Sequence, residues 1–212
     1  MSRGRFLTFE GGEGAGKSSN IRFAQTRLEA RGIPCLVTRE PGGTEVAEAI
    51  RQVLLSPHQE PVAPMTELLL VFAARAQHLA HCIQPALAQG TWVLCDRFTD
   101  TTYAYQGAGR EMGAAPVAAL EQLVQGTLRP DLTLLFDVPV EVGMARAGKR
   151  GSPDRIESEQ VAFFERIRAS FKAQARQLPS RWRVIDAARP LPEVEQQVAA
   201  VLDAWLEDTH GQ

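Results

Sequence analysis

The chain has no marked excess of either charge: 23 lysines and arginines stand against 25 aspartates and glutamates, a formal net charge of −2. Attraction for a polyphosphate must then come from a local cluster of cations, and a nucleic acid polymer is not an expected partner. Cysteine is scarce. Cys35, Cys82 and Cys95 are odd in number and none sits in a C-x-x-C or at metal-ligand spacing from a histidine. A disulfide framework and a zinc site are both unexpected, and the three read as reduced core residues. Histidine is nearly as sparse. His78 and His81 share a helix face but have no third ligand motif, so neither they nor His58 and His210 are assigned a catalytic or metal role. No apolar run approaches the ~20 residues that cross a bilayer. The run near the N-terminus is too short for the core of a secretory signal. The expectation is a cytoplasmic protein without membrane contact, folded as one domain over its 212 residues.

What is present is an alternation of short apolar runs with longer stretches of helical period, the pattern of an α/β fold built on a parallel sheet. Strands are expected at Phe6 to Glu10, Cys35 to Thr38, Trp92 to Cys95 and Leu132 to Val138, with a weaker fifth at Arg183 to Asp186. Helical periodicity covers Lys17 to Arg31, Thr44 to Leu55, Met65 to Gln89, Pro116 to Gln125, Glu159 to Leu178 and Leu191 to Glu207. Prolines 34, 41, 57, 64, 130 and 179 fall between these elements, where they disrupt least. From Arg146 to Glu159 glycines and a proline are mixed with charges, which reads as a small mobile lid.

Gly11-Gly12-Glu13-Gly14-Ala15-Gly16-Lys17-Ser18 fits G-x-x-x-x-G-K-[ST] between a strand and a helix, so the fold expected is that of P-loop NTPases: a central parallel sheet of about five strands flanked by helices. Glycines let main-chain N–H groups curl around phosphate oxygens, and the following helix adds the positive end of its dipole. Residues 11 to 18, with Ser19 beside them, are the expected ATP site. Lys17 would bridge the β- and γ-phosphates and Ser18 would ligate Mg²⁺. Asp96, at the end of the third strand, would hold a metal-bound water, or else cap the next turn. Arg97 next to it favours the phosphate reading. Asp137 ends a similar strand with no cation following and reads as structural.

A phosphate cradle alone does not choose among GTPases, ATPases and kinases. No N-K-x-D motif is present, which argues against a GTPase. Arg146, Lys149, Arg150 and Arg155 fall within ten residues; such a run can be a solvated face, but beside a P-loop a closing lid accounts for it better.

The segments FEGGEGAGKSS, TREPGGT, FAARAQH, DRFTDTTYAYQG, RPDLTLLFDV and DRIESE, in that order across nearly the whole chain, resemble the thymidylate kinases of bacteria. TREPGGT and DRF…YQG carry the resemblance more than the P-loop does. Glu13-Gly14-Ala15 holds no cation, so the chain resembles the type in which basic lid residues supply it. The resemblance implies transfer of the γ-phosphate of ATP to dTMP in DNA precursor synthesis, with Mg²⁺, in a homodimer whose contact includes the helix from Met65 to Gln89. It implies that Glu13 meets the 3′-hydroxyl of the sugar and that Arg39 and Arg97 clamp the acceptor phosphate. Phe72 would stack on thymine, Arg75 would donate to its O4, Thr102 and Gln106 would meet the base, and Tyr105 would lie under the deoxyribose. Arg150, then Arg146, would supply the transition-state cation. Plainer roles fit the same residues: Phe72 and Tyr105 as core rings, Arg39 as a surface cation, Thr102 and Gln106 as turn residues. Alternatives are a kinase for UMP or CMP, or an ATP-dependent switch module.

Overall fold

The computed structural model describes residues 3–149 and 154–210. Five strands, β1 (Phe6–Glu10), β2 (Cys35–Arg39), β3 (Trp92–Asp96), β4 (Leu132–Asp137) and β5 (Trp182–Asp186), form one parallel sheet in the order β2-β3-β1-β4-β5. Parallel neighbours need crossover segments, and these are supplied by α1 (Lys17–Glu29), α2 (Glu45–Leu55), α3 (Pro64–His78), α4 (Gln84–Ala88), α5 (Thr99–Thr102), α6 (Ala114–Gln125), α7 (Val140–Ala147) and α8 (Val161–Gln177), while α9 (Leu191–His210) follows the last strand.

The central strands are buried on both faces, hence their unbroken apolar reading. Leu7, Phe9, Leu94, Leu134 and Phe136 pack beneath α1 and α9, against Ile21, Leu28, Val198 and Leu202. On the opposite face Phe6, Val93 and Cys95 meet Leu79, Ile83 and Leu87. The one polar pair between the central strands is satisfied internally: Thr8 on β1 and Thr133 on β4 share a hydrogen bond of 2.9 Å between buried hydroxyls.

Two expectations need correction, and one element was not expected. The helix read from Met65 to Gln89 is interrupted by a π-helical turn, Leu79–Ile83, that separates α3 from α4. Pro85 cannot donate to a carbonyl four residues back, so the regular ladder fails there, while the N–H of Gln84 reaches the carbonyl of Leu79. A second π-helical segment, Tyr103–Gly109, continues α5; its glycines and alanines hid it from a periodicity reading. Of the cysteines, only Cys95 is a core residue. Cys35, on the edge strand β2, and Cys82 are half-buried, and all three are free thiols. Among the described residues no helix is long and apolar enough to cross a membrane.

Candidate active site

At the carboxyl end of β1 the chain turns through Gly11–Gly16 and enters α1 at Lys17, beside the ends of β3 and β4 on either side. Crevices of this kind, outside the ends of parallel strands, are where open α/β sheets bind ligands. Gly14 has a φ of 64°, and a Cβ there would lie 2.0 Å from the carbonyl oxygen of Gly143 on α7, so glycine is required for the turn to seat against that helix. No side chain caps the start of α1, whose first N–H groups and positive dipole end face the turn. Lys17 Nζ donates to Gly11 O at 3.2 Å and Gly12 O at 3.1 Å. Burial and the nearby Arg97 lower its pKa.

The turn forms one wall of a cavity of about 640 Å³. The facing wall carries four arginines from four places in the chain: Arg39 at the end of β2, Arg51 on α2, Arg75 on α3 and Arg97 after β3. Arg97 adopts a φ of 68°, and its guanidinium donates to Gly11 O at 3.0 Å and to Glu13 Oε1 at 2.6 Å. Its Cζ lies 4.8 Å from the centre of the Tyr105 ring, whose hydroxyl donates to the same Glu13 oxygen at 2.8 Å. Arg39 is more than half exposed and pairs with Glu48 at 3.0 Å.

Buried carboxylates hold this wall in place. Glu40 accepts from Arg75 Nε at 2.7 Å and contacts His78 Nδ1 at 3.1 Å. Arg75 Nη2 donates to Thr102 Oγ1 at 2.9 Å, while Nη1 is buried without a partner among the described residues. Glu10, fully buried at the end of β1, accepts from the Phe98 N–H at 2.8 Å and contacts the hydroxyl of Thr101. Burial, reinforced by the Asp100 carboxylate, pushes its pKa up to about 8. Glu67 on α3 accepts from Gln106 Nε2 at 2.9 Å, from Arg110 and, at 2.7 Å, from Arg155.

The cavity thus brings together Glu13, Gly14, Ala15, Gly16, Lys17, Ser18, Ser19, Arg39, Arg75, Asp96, Arg97, Thr102, Tyr105, Gln106 and Arg146. Phe72 is corrected. It is 2 % exposed, packs with Leu68 and Val117, and lies beneath the Arg75 guanidinium, 4.7 Å from Cζ to the ring centre, instead of lining the cavity. One helical position further round, Val71 lines it. Arg146 belongs to the last turn of α7 and donates to Ala187 O at 2.7 Å, so it is tethered to the loop after β5. Arg150 lies outside the described residues. Asp137 is structural as read, with its cation coming from α8 through two hydrogen bonds from Arg168. Sequence reasoning missed Glu40, Arg51, Glu67 and Phe98. Glu40 and Phe98 lie inside the TREPGGT and DRF segments, which could have flagged them, whereas Arg51 and Glu67 look like ordinary helix-face charges.

The chain is similar over almost its whole length to known proteins of one family. A protein-family model described as Thymidylate kinase matches residues 9–198. Two curated proteins named Thymidylate kinase align over almost their full lengths. One, from Alcanivorax borkumensis, is 61% identical over 95% of this chain and 99% of its own. The other, from Pseudomonas fluorescens (strain Pf-5), is 58% identical over 98% of this chain and 99% of its own. A crystal structure of thymidylate kinase from Ehrlichia chaffeensis superposes with a TM-score of 0.75 at 32% identity, covering 94% of this chain and 99% of that one.

Proposed function

The chain belongs to the thymidylate kinase family, and from that premise we propose how its cavity carries out the family's reaction. The enzyme is a nucleoside monophosphate kinase that transfers the γ-phosphate of ATP to dTMP, giving dTDP. The residue roles that follow are our reading. One observation carries them: Arg97 bonds the glycine turn at 3.0 Å and shares a single cavity with it and with Arg39. A cation is thereby set at the boundary between a site suited to a polyphosphate tail and a site suited to a second phosphate facing it.

In this reading the main chain of residues 11–18 and Lys17 hold the β- and γ-phosphates of ATP, while Arg39 and Arg97 hold the phosphate of dTMP. A phosphate monoester is already anionic near neutral pH, so its oxygen attacks the γ-phosphorus without a general base. What remains for the protein is alignment and neutralisation of charge. Tyr105 packs under Arg97 and fixes Glu13 for the sugar hydroxyl. The unpartnered Nη1 of Arg75 supplies a donor for O4 of thymine, and the carbonyl of Gln106 supplies an acceptor for N3–H. Arg146 and Arg150 are assigned the transition-state cation, in a 146–159 segment that closes as a lid on a single-domain scaffold.

The site also fits a magnesium ion. Asp96 Oδ1 is buried with no hydrogen-bond partner among the described residues, and Asp96 lines the same cavity as the exposed Ser18. Ser18 would ligate the ion directly and Asp96 through a water, and the ion would offset charge on the transferred phosphoryl group. We further propose a cytoplasmic homodimer joined through α2 and α3, whose Val46, Val53, Met65 and Leu69 are all about half exposed.

The assignment of the acceptor is tested by comparing kcat/KM for dTMP, dUMP, dCMP and UMP at saturating ATP. The expected result is the highest value for dTMP with dCMP far below, and a preference for UMP or CMP would overturn it.

A further inference from the structure

We propose that Glu67 is a positioning residue for base recognition: it grips the Gln106 amide by its nitrogen end and so dictates that a carbonyl oxygen faces the acceptor base. The inference rests on the reading, given above, that Gln106 meets that base, and it deepens that reading by naming what makes the amide selective.

An amide is ambiguous at a binding site, because a half-turn exchanges a donor for an acceptor at little cost. A thymine presents O4 as an acceptor and N3–H as a donor; cytosine presents the reverse pair, a 4-amino donor and an N3 acceptor. A glutamine free to turn would serve both bases. Gln106 is not free. Its Nε2 donates to Glu67 Oε1 at 2.9 Å, and an ionised carboxylate can only accept, so the amide nitrogen must be the end that faces Glu67. No described residue donates to Gln106 Oε1, and Gln106 lines the cavity beside Arg75 and Thr102.

Glu67 is suited to this task by what surrounds it. The carboxylate is 1 % exposed and accepts from the guanidinium of Arg110 at 3.1 Å, through both Nε and Nη2, and from Arg155 Nη2 at 2.7 Å. Arg155 is itself anchored by donating to Leu54 O at 2.8 Å, and Arg110 pairs with Glu159. Burial pushes the Glu67 carboxyl pKa up, but the hydrogen bonds from Arg110 and Gln106 outweigh that and keep it below its ordinary value. With two cations on one carboxylate the charge is retained, and a buried charged group held by several bonds has one orientation. Selection of thymine over cytosine then depends on two fixed groups: the donor of Arg75, set by Glu40 and Thr102, and the acceptor of Gln106, set by Glu67.

The test is Glu67→Gln. The new amide must still offer its oxygen to Arg110 and Arg155, so its NH₂ turns toward Gln106, which flips and points its own NH₂ into the cavity. The expected result is that KM for dTMP rises about tenfold with kcat little changed, and that the ratio of kcat/KM for dTMP over dCMP falls by about tenfold. Gln106→Ala is measured alongside. If Gln106→Ala lowers the ratio and a folded Glu67→Gln does not, the positioning role is wrong. If Gln106→Ala also leaves the ratio unchanged, Gln106 does not read the base and the underlying assignment fails as well. Should Glu67→Gln not fold, the wild-type protein is titrated with dTMP while the side-chain amide of Gln106 is followed by NMR. The expected result is a shift of the carbonyl carbon with the NH₂ signals nearly fixed; the opposite pattern overturns the proposal.

Discussion

The two walls of the cavity are built on different principles. The wall proposed for ATP, the donor wall, is one contiguous turn, Gly11–Ser18, that offers main-chain groups and a single lysine. The wall proposed for dTMP, the acceptor wall, is assembled from side chains on β2, α2, α3, the turn after β3 and the π-helical segment, and three buried acids brace it: Glu40 holds Arg75, Glu67 holds Gln106, and Glu10 holds the turn after β3 through the Phe98 N–H. A wall made of backbone can lose a side chain and keep its shape. A wall made of mutually bonded side chains couples recognition to stability, and substitutions on the two walls should separate along that line.

The largest effect is expected on the donor wall. Lys17→Ala removes the only side-chain cation of the turn and should lower kcat by about 10³-fold or more, the cost typical of losing a cation from phosphoryl transfer. Thermal unfolding should change little, because Lys17 bonds only carbonyls of its own turn. Wild-type turnover would reject its role, and a collapse in stability would erase the distinction drawn between the walls.

On the acceptor wall the same kind of change should damage the fold. Arg75 and Glu40 have side chains 1 % and 3 % exposed, and Arg75→Ala strands a buried carboxylate beside His78. Breaking such a pair costs about 3–5 kcal/mol. Denaturant unfolding should show this loss together with a raised KM for dTMP. A variant with raised KM and undiminished stability would mean that Glu40 is not a structural partner.

This contrast also explains what could be read in advance. The strands and the glycine turn follow from local patterns of period, turn chemistry and spacing, so they are legible one segment at a time. The cavity wall is not local. Arg75 and Thr102 were expected near the base from resemblance, but nothing within their own segments shows that Arg75 would be shared between Glu40 and Thr102. Phe72 was misplaced for a related reason: positions 71 and 72 point in different directions on α3, and only packing shows that 72 supports the guanidinium from the core while 71 faces the cavity. Glu67 gave no signal, since a helical glutamate with partners 39, 43 and 88 residues away looks like any surface charge.

Arg39 is the exception on its wall and sharpens the comparison. Its side chain is 56 % exposed and its pair with Glu48 is open to solvent, so Arg39→Ala should cost less than ~1 kcal/mol of stability. As a phosphate ligand it should still matter, raising KM for dTMP about tenfold, the ~1.4 kcal/mol expected for one charge-assisted hydrogen bond. An unchanged KM would return Arg39 to the surface.

The smallest effect on activity concerns Glu10, whose role appears instead as a dependence of stability on pH. Its folded pKa of about 8 lies above the ordinary 4.5, so the folded state holds a proton that the unfolded chain releases between those values. The stability contributed by that proton is fully present below pH 4.5 and is lost as pH rises through 8, with a slope of about 1.4 kcal/mol per pH unit at most. Glu10→Gln imitates the protonated acid: its oxygen can accept from the Phe98 N–H, as Oε1 does, and its nitrogen can donate to the Thr101 hydroxyl. The variant should match the wild type in activity; in stability it should already be the more stable of the two at pH 6, by a margin that widens up to pH 8 and levels off above it, where the native carboxylate is ionised beside Asp100 in the folded state as well. Melting curves of both proteins from pH 6 to 9 give the measurement, and parallel curves would show that Glu10 stays ionised and holds Phe98 by charge.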